Sequence, residues 1–199
     1  MKSSFVETIR VNNGQFCHLA YHECRARATS LAMFGCRLEW DVAGMVVPDE
    51  ARQGGVKCRV VYDTVIRDVT FSPYTFRRIG SLRLIEDNAI DYRFKSTDRV
   101  ALEHVFARRD GCDDVLVVRQ GMITDTSFSN IVLEDATGLY TPDTFLLNGT
   151  RRQRLLDEGV VRERAVPVSE LCRYDRLYLI NAMIGLEDNI SLPLSAVRF

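Results

Sequence analysis

No stretch of this 199-residue chain is apolar over anything near the ~20 residues that a helix needs to cross a bilayer. A helical membrane protein is thereby excluded. Charge of neither sign is in excess: 26 Lys and Arg stand against 27 Asp and Glu, a formal net charge of −1. Neither nucleic acid nor an anionic membrane is therefore expected as the main partner. The first residues, Met1-Lys2-Ser3-Ser4-Phe5-Val6-Glu7, lack the apolar core of a secretory leader, so a cytoplasmic location is expected. Internal repeats, low-complexity tracts and long linkers are missing. So are Cys-x-x-Cys pairs: the cysteines stand apart at 17, 24, 36, 58, 112 and 172, which fits reduced thiols. One cluster, Cys17, His18, His22 and Cys24, has the elements of a zinc site. It has no second ligand pair downstream, so no metal is expected. Cys17 and Cys24 read as packing residues and His22 as a core histidine.

What is present is ordinary for a globular protein, with 46% hydrophobic and 27% charged residues. Residues 5–11 read as a strand, and Asn12-Asn13-Gly14 as a hairpin turn, because Asn and Gly tolerate positive φ. Residues 20–34 have helical spacing, and a short helix is predicted over 40–45. Gly55 precedes a β-branched strand over 56–62, which 69–76 is expected to pair. Further strands are predicted at 81–86, 114–119, 130–134 and 177–180. Helices are predicted at 98–108, with Asp98 near its start, and at 150–158, with Thr150 able to cap it. Many strands, few short helices and no regular βαβ alternation give an α+β or mixed α/β fold. Two subdomains are expected: a small N-terminal α/β one over 1–78 and a larger C-terminal one over 79–199 carrying Lys95.

Three segments stand out in order. The first is Asp91-Tyr92-Arg93-Phe94-Lys95-Ser96-Thr97-Asp98-Arg99. The second is Ile123-Thr124-Asp125-Thr126-Ser127-Phe128-Ser129-Asn130, with an acid five residues before an asparagine. The third is Leu146-Leu147-Asn148-Gly149-Thr150-Arg151-Arg152. A desolvated lysine near another cation has a lowered pKa and can act as nucleophile and base. Gly149 allows close backbone approach, and the amides of Thr150 and Arg151 at a helix start suit an anion. Taken singly, each has a plainer reading: a surface lysine, an Asp in the turn after Gly121, a turn-closing Asn, a capped helix with a solvated basic first turn.

Together, in this order and spacing, these segments resemble the class IV aminotransferases, the fold-type IV pyridoxal-phosphate enzymes. His22-Glu23-Cys24-Arg25 resembles that family's His-x-x-Arg on its first helix. The resemblance runs from Val6-Glu7-Thr8 to Asn181-Ala182-Met183. It implies the two-subdomain fold of the D-amino acid aminotransferase-like type, here in a compact version without the first N-terminal hairpin of longer members. It implies pyridoxal 5′-phosphate as cofactor, a small-molecule amine as substrate, and a homodimer. It assigns Lys95 to the cofactor aldehyde and to proton transfer. Arg25, Gly149, Thr150 and Arg151 are assigned to the phosphate, and Asp125 to the ring nitrogen, with Asn130 orienting the loop. Two departures are visible: Asp125 stands where the family has glutamate, and Arg99 where lyase-like members often carry tyrosine.

Asn181, Ala182 and Met183 are expected at the substrate. Transaminases of the family place a turn of small residues here, whose amides receive the substrate α-carboxylate. The segment Leu179-Ile180-Asn181-Ala182-Met183-Ile184-Gly185 instead resembles the turn of the family's aminodeoxychorismate lyases. Conversion of 4-amino-4-deoxychorismate to 4-aminobenzoate and pyruvate is the expected activity. Transamination of branched-chain or D-amino acids, and cofactor binding without turnover, are the alternatives.

Overall fold

The computed structural model describes residues 3–52 and 54–199. The chain divides into two compact units. The first reaches to Phe76 and also takes in Phe94–Asp98; the second comprises Arg77–Arg93 and Arg99–Phe199. Lys95 thus clusters with the first unit, whereas the sequence reading places it in the C-terminal subdomain. The physical reason is main-chain pairing: the Lys95 carbonyl accepts the Val6 N–H at 2.9 Å, and the Thr97 N–H donates to the Ser4 carbonyl at 2.9 Å.

In the first unit, β1 (Phe5–Asn12), β2 (Gln15–Phe16), β3 (Gly55–Tyr62) and β4 (Ile66–Pro73) form an antiparallel sheet in the order β2-β1-β3-β4. Asn13 and Gly14 turn the first hairpin with φ of 49° and 77°, as a two-residue turn between twisted strands requires. Helix α1 (Leu19–Phe34) follows and ends at Gly35, whose left-handed conformation (φ 69°) lets its N–H reach the Leu31 carbonyl. The inward face of β1 carries Phe5, Glu7, Ile9 and Val11, all buried. The helix predicted over 40–45 is absent. Leu38, Trp40 and Val42 are buried while Glu39 and Asp41 are exposed; this two-residue alternation belongs to extended chain.

The second unit holds two sheets. One has the order β13-β5-β6-β7, from β5 (Leu82–Glu86), β6 (Asp114–Arg119), β7 (Met122–Thr126) and β13 (Val197–Arg198). The other has the order β10-β9-β8-β11-β12, from β8 (Asn130–Asp135), β9 (Gly138–Pro142), β10 (Arg162–Arg164), β11 (Arg176–Ile180) and β12 (Ser191–Pro193). Helix α2 (Val100–Ala107) lies in the β5–β6 connection, and α3 (Thr150–Asp157) follows β9. Leu82, Leu116, Ile123, Ile131, Leu133, Leu177 and Leu179 form the main core. The turn after β6 is Gln120-Gly121 (φ 53° and 75°). Asp125 therefore lies on β7, and its reading as a residue of that turn is displaced. Among the described residues, no helix is long and apolar enough to cross a membrane. Nor does any group of three or more His, Cys, Asp or Glu stand ready to hold a metal.

Candidate functional site

Lys95 lies in a short segment held along β1 in the first unit. Beyond its carbonyl bond to Val6, Ser96 forms an isolated bridge with Phe5. The Ser4 and Thr97 hydroxyls meet at 2.7 Å, and the Phe94 ring packs edge-on against Phe5 at 6.2 Å. The backbone of a half-buried lysine is thereby fixed by its neighbours on both sides.

Two residues from the start of that strand lies a buried carboxylate. Glu7 is fully buried. Its Oε1 accepts the Arg25 Nε–H at 2.8 Å and its Oε2 an Arg25 Nη2–H at 2.6 Å. His22, one helical turn before Arg25, places Nδ1 2.6 Å from the same Oε2. Burial alone would raise the Glu7 pKa. The Arg25 charge and the hydrogen bonds from His22 and Arg25 override it and bring the carboxyl from 4.5 down to about 2. Burial pushes the His22 pKa below 6.5 against the pull of Glu7, and the Arg25 and Lys95 charges act in the same direction. The ring is therefore neutral and donates Nδ1–H to the carboxylate. His22 is, as its sequence reading has it, a core histidine, but one with a specific ionic partner.

In the second unit, the strand β7 delivers Asp125 into a buried position. Its Oδ2 accepts the N–H groups of Leu146 and Leu147, each at 3.0 Å. Its Oδ1 accepts an Asn130 side-chain N–H at 2.8 Å. Asn130 also donates to the Leu147 carbonyl at 2.9 Å. A β-carbon at position 149 would collide with Asn130 Oδ1, which gives Gly149 a steric reason. Burial raises the Asp125 pKa from 3.8 to about 6, although the Leu147, Asn130 and Leu146 donors and the more distant Arg152 all oppose it. Asp125 and Asn130 together hold the loop that leads into α3.

Gly149, and not Thr150, is the N-cap of α3. No side chain caps the helix and its first turn has no acid, so its amide end keeps its positive character. The two arginines of this turn are buried, not solvated. Arg151 reaches the Asn181 carbonyl (3.5 Å) and Glu187 (3.2 Å). Arg152 is 1% exposed; it bonds the Pro142 carbonyl at 2.9 Å and Glu163 at 2.5 Å, and stacks on Phe145 at 4.4 Å.

The turn after β11 is closed by its own first side chain. Asn181 Oδ1 accepts the N–H groups of Met183 (2.8 Å) and Ile184 (3.0 Å), and its Nδ2 donates to Ser129 Oγ at 3.1 Å. Ala182 is half-buried and Met183 buried. Arg99, at the start of α2, donates to the Ser127 carbonyl at 2.8 Å and lies over the Tyr92 ring.

The chain matches the model of the amino-transferase class IV family over residues 4–187. It belongs to this family. The class IV aminotransferases are pyridoxal-phosphate enzymes, and this chain is an enzyme of that kind of fold. An uncharacterised protein of Haemophilus influenzae is 27% identical over 183 residues, 90% of this chain and 97% of its own. A Haemophilus somnus structure described as a "putative 4-amino-4-deoxychorismate lyase" is 29% identical. It covers 93% of this chain and 98% of its own, with a TM-score of 0.83. A "hypothetical aminotransferase" of Mycobacterium tuberculosis in its PLP-bound form shares the fold at 18% identity. Its TM-score is 0.70, over 98% of this chain and 81% of its own.

Sequence reasoning passes over two features of this class IV chain. Glu7 is one; its signal is an acid at an inward position of the alternating strand Phe5-x-Glu7-x-Ile9-x-Val11. The other is the pair of Leu146 and Leu147 amides that hold Asp125, for which side-chain identity carries no signal.

Proposed function

We propose that this chain is a pyridoxal-phosphate-dependent lyase that cleaves 4-amino-4-deoxychorismate into 4-aminobenzoate and pyruvate. The turn after β11 is the observation that carries this choice over transamination. In the family's transaminases the amides of this turn are expected to take the substrate α-carboxylate. Here Asn181 Oδ1 already occupies those of Met183 and Ile184. A substrate that needs them is disfavoured, since its carboxylate would have to displace an internal hydrogen-bond acceptor.

The residues suit the cofactor. Asp125 is a buried carboxylate that accepts N–H bonds from Leu146, Leu147 and Asn130, all neutral, and Oδ1 has capacity for one more. A protonated ring nitrogen would supply both the donor and the missing countercharge. The uncapped start of α3 at Gly149, Thr150 and Arg151 suits a phosphate, and Arg25 offers it a guanidinium. Pyridoxal phosphate held by these residues supplies the electron sink for the reaction. With the cofactor bound, Lys95 would be the amine that holds its aldehyde and, once freed, the base that takes the proton from the substrate ring carbon that bears nitrogen. The same amine can deliver a proton to the departing enolpyruvate. Asp125 would offer its negative charge to the ring nitrogen, Asn130 holds Asp125, and Asn181, Ala182 and Met183 would line the substrate. On this reading the protein works as a homodimer, as the family resemblance implies, and in the cytoplasm, the location expected from its composition.

The test is direct. Purified protein with pyridoxal phosphate and 4-amino-4-deoxychorismate should release pyruvate and 4-aminobenzoate in equal amounts. A protein that yields neither, yet converts branched-chain or D-amino acids to keto acids with a keto-acid acceptor, is an aminotransferase, and the proposal fails.

A further inference from the structure

We propose that Glu7, with His22, is a positioning residue for Arg25, holding its guanidinium plane at a fixed angle for recognition of a phosphate monoester. The inference rests on the reading that Arg25 meets the cofactor phosphate, and adds what makes that arginine selective. Glu7 occupies an inward position on β1 between Phe5 and Ile9, both at most 2% exposed. An apolar residue there would give the sheet a simpler core. Replacing a whole buried ion pair by hydrophobic residues is often neutral or stabilising, so stability does not by itself call for an acid–arginine pair here, although breaking the pair is costly.

Geometry does. Both carboxylate oxygens are engaged by one guanidinium, through Nε at 2.8 Å and Nη2 at 2.6 Å. Two parallel bonds fix the plane as well as the position of the fork. His22 stands three residues before Arg25 on the same helical face and bonds Oε2 at 2.6 Å. It therefore locks the carboxylate that locks the arginine. The pair Glu7–Arg25 is formally neutral, and a neutral His22 adds no charge. Arg25 then contributes directed N–H donors to a phosphate and little net attraction.

That distinction gives the test its sign. If Arg25 served by charge alone, Glu7→Gln would uncover that charge and tighten phosphate binding, and Arg25→Lys would preserve it. If it serves by orientation, both substitutions weaken it. Apo protein is titrated with pyridoxal phosphate and, separately, with pyridoxal, which has the same ring and aldehyde but no phosphate. Visible absorbance follows both. The ratio of the pyridoxal dissociation constant to the pyridoxal phosphate dissociation constant isolates the phosphate contribution and is insensitive to a general loss of fold quality. The expected result is a fall in that ratio of about tenfold or more in Glu7→Gln, Arg25→Lys and Arg25→Ala, the effect of losing a charge-assisted hydrogen bond. An unchanged or increased ratio in Glu7→Gln, with Arg25→Ala reduced, overturns the positioning role and leaves Arg25 as a phosphate ligand. Should Glu7→Gln not fold, Arg25→Lys decides, since it keeps the ion pair with Glu7 and loses only the fork; a full ratio there overturns the proposal. An unchanged ratio in Arg25→Ala removes Arg25 from the phosphate altogether, and the positioning role with it.

Discussion

The side-chain oxygen of Asn130 stands where a β-carbon at Gly149 would be. One residue thus holds the carboxylate of Asp125 and also dictates that the residue before α3 has no side chain. Gly149→Ala is expected to push Asn130 away, break its bonds to Asp125 and the Leu147 carbonyl, and cost about 1–3 kcal/mol. Thermal melting checks the loss. Adding Asn130→Ala should make the Gly149→Ala step nearly free, because the collision is gone; a full penalty in the double variant would mean the cost lies elsewhere.

Lys95 is expected to carry the cofactor. Borohydride reduction followed by peptide mapping should place the pyridoxyl group on Lys95. Lys95→Ala should show no visible absorbance band with pyridoxal phosphate, yet melt close to the parent protein. Its main-chain bond to Val6 does not involve the side chain. Label on another lysine would defeat the assignment.

Much of this could be read from the chain because the signals are local. Strand β1, the Asn13-Gly14 turn, α1 and β6 each follow from spacing within about ten residues. Leu38, Trp40 and Val42 were harder, since three apolar residues at alternating positions, broken by acids and followed by Ala-Gly, resemble a helix fragment until their burial is known. Strand β7 hides because Thr124, Asp125 and Thr126 are polar yet nearly fully buried, so neither alternation nor an apolar run marks it. Arg151 and Arg152 read as a solvated helix start; their partners Glu187 and Glu163 lie 36 and 11 residues away, beyond any local pattern. Lys95, Asp125 and Gly149 stand out only through the combined motif resemblance, and the contacts that surround Asp125 and Gly149 have no signal in the sequence.

Asn181 sets the reaction outcome under the lyase reading. Asn181→Ala removes the side-chain acceptor of the Met183 and Ile184 amides without altering the strand before them, and leaves the Ile184 N–H its main-chain bond to the Asn181 carbonyl at 3.1 Å. Pyruvate release is expected to fall and keto-acid formation from an amino-acid substrate to rise, each by roughly tenfold for the exchange of one or two hydrogen bonds. Product analysis of both reactions on the same preparation checks it. Loss of both activities in a folded variant would show that Asn181 supports the turn and does not choose the substrate.

The acid limb of stability belongs to Glu7. Its folded pKa, about 2, lies below the ordinary 4.5. Its contribution is therefore complete above pH 4.5 and is lost as pH falls through about 2, roughly 3 kcal/mol in all. In Glu7→Gln that limb should flatten, while stability at pH 7 drops by about 3 kcal/mol because Arg25 and His22 lose their buried partner. Urea denaturation from pH 2 to 7 checks both halves.

Asp125 has the opposite sign. Its folded pKa, about 6, lies above the ordinary 3.8, so the fold favours the protonated form. The stability of the cofactor-free protein should be greatest, on this account, below pH 4 and fall by roughly 3 kcal/mol as pH climbs to 6 and above. Asp125→Asn removes that slope. It also sets an N–H of the new amide against that of Asn130, which cannot turn over without losing the Leu147 carbonyl; the cost is about 1 kcal/mol. Near pH 7 the relief of the carboxylate penalty outweighs that cost, and the variant should fold. Catalysis should not survive so well. Without a negative charge beside the ring nitrogen, proton abstraction by Lys95 is expected to slow by orders of magnitude, with cofactor still bound through Lys95 and the phosphate site. Asp125→Glu should keep substantial activity if the pocket admits one more methylene. Were Asp125 only a tether for the Leu146-Leu147 loop, Asn would serve nearly as well, since its oxygen can accept the same two amides. Full activity in Asp125→Asn would therefore assign it that tether alone.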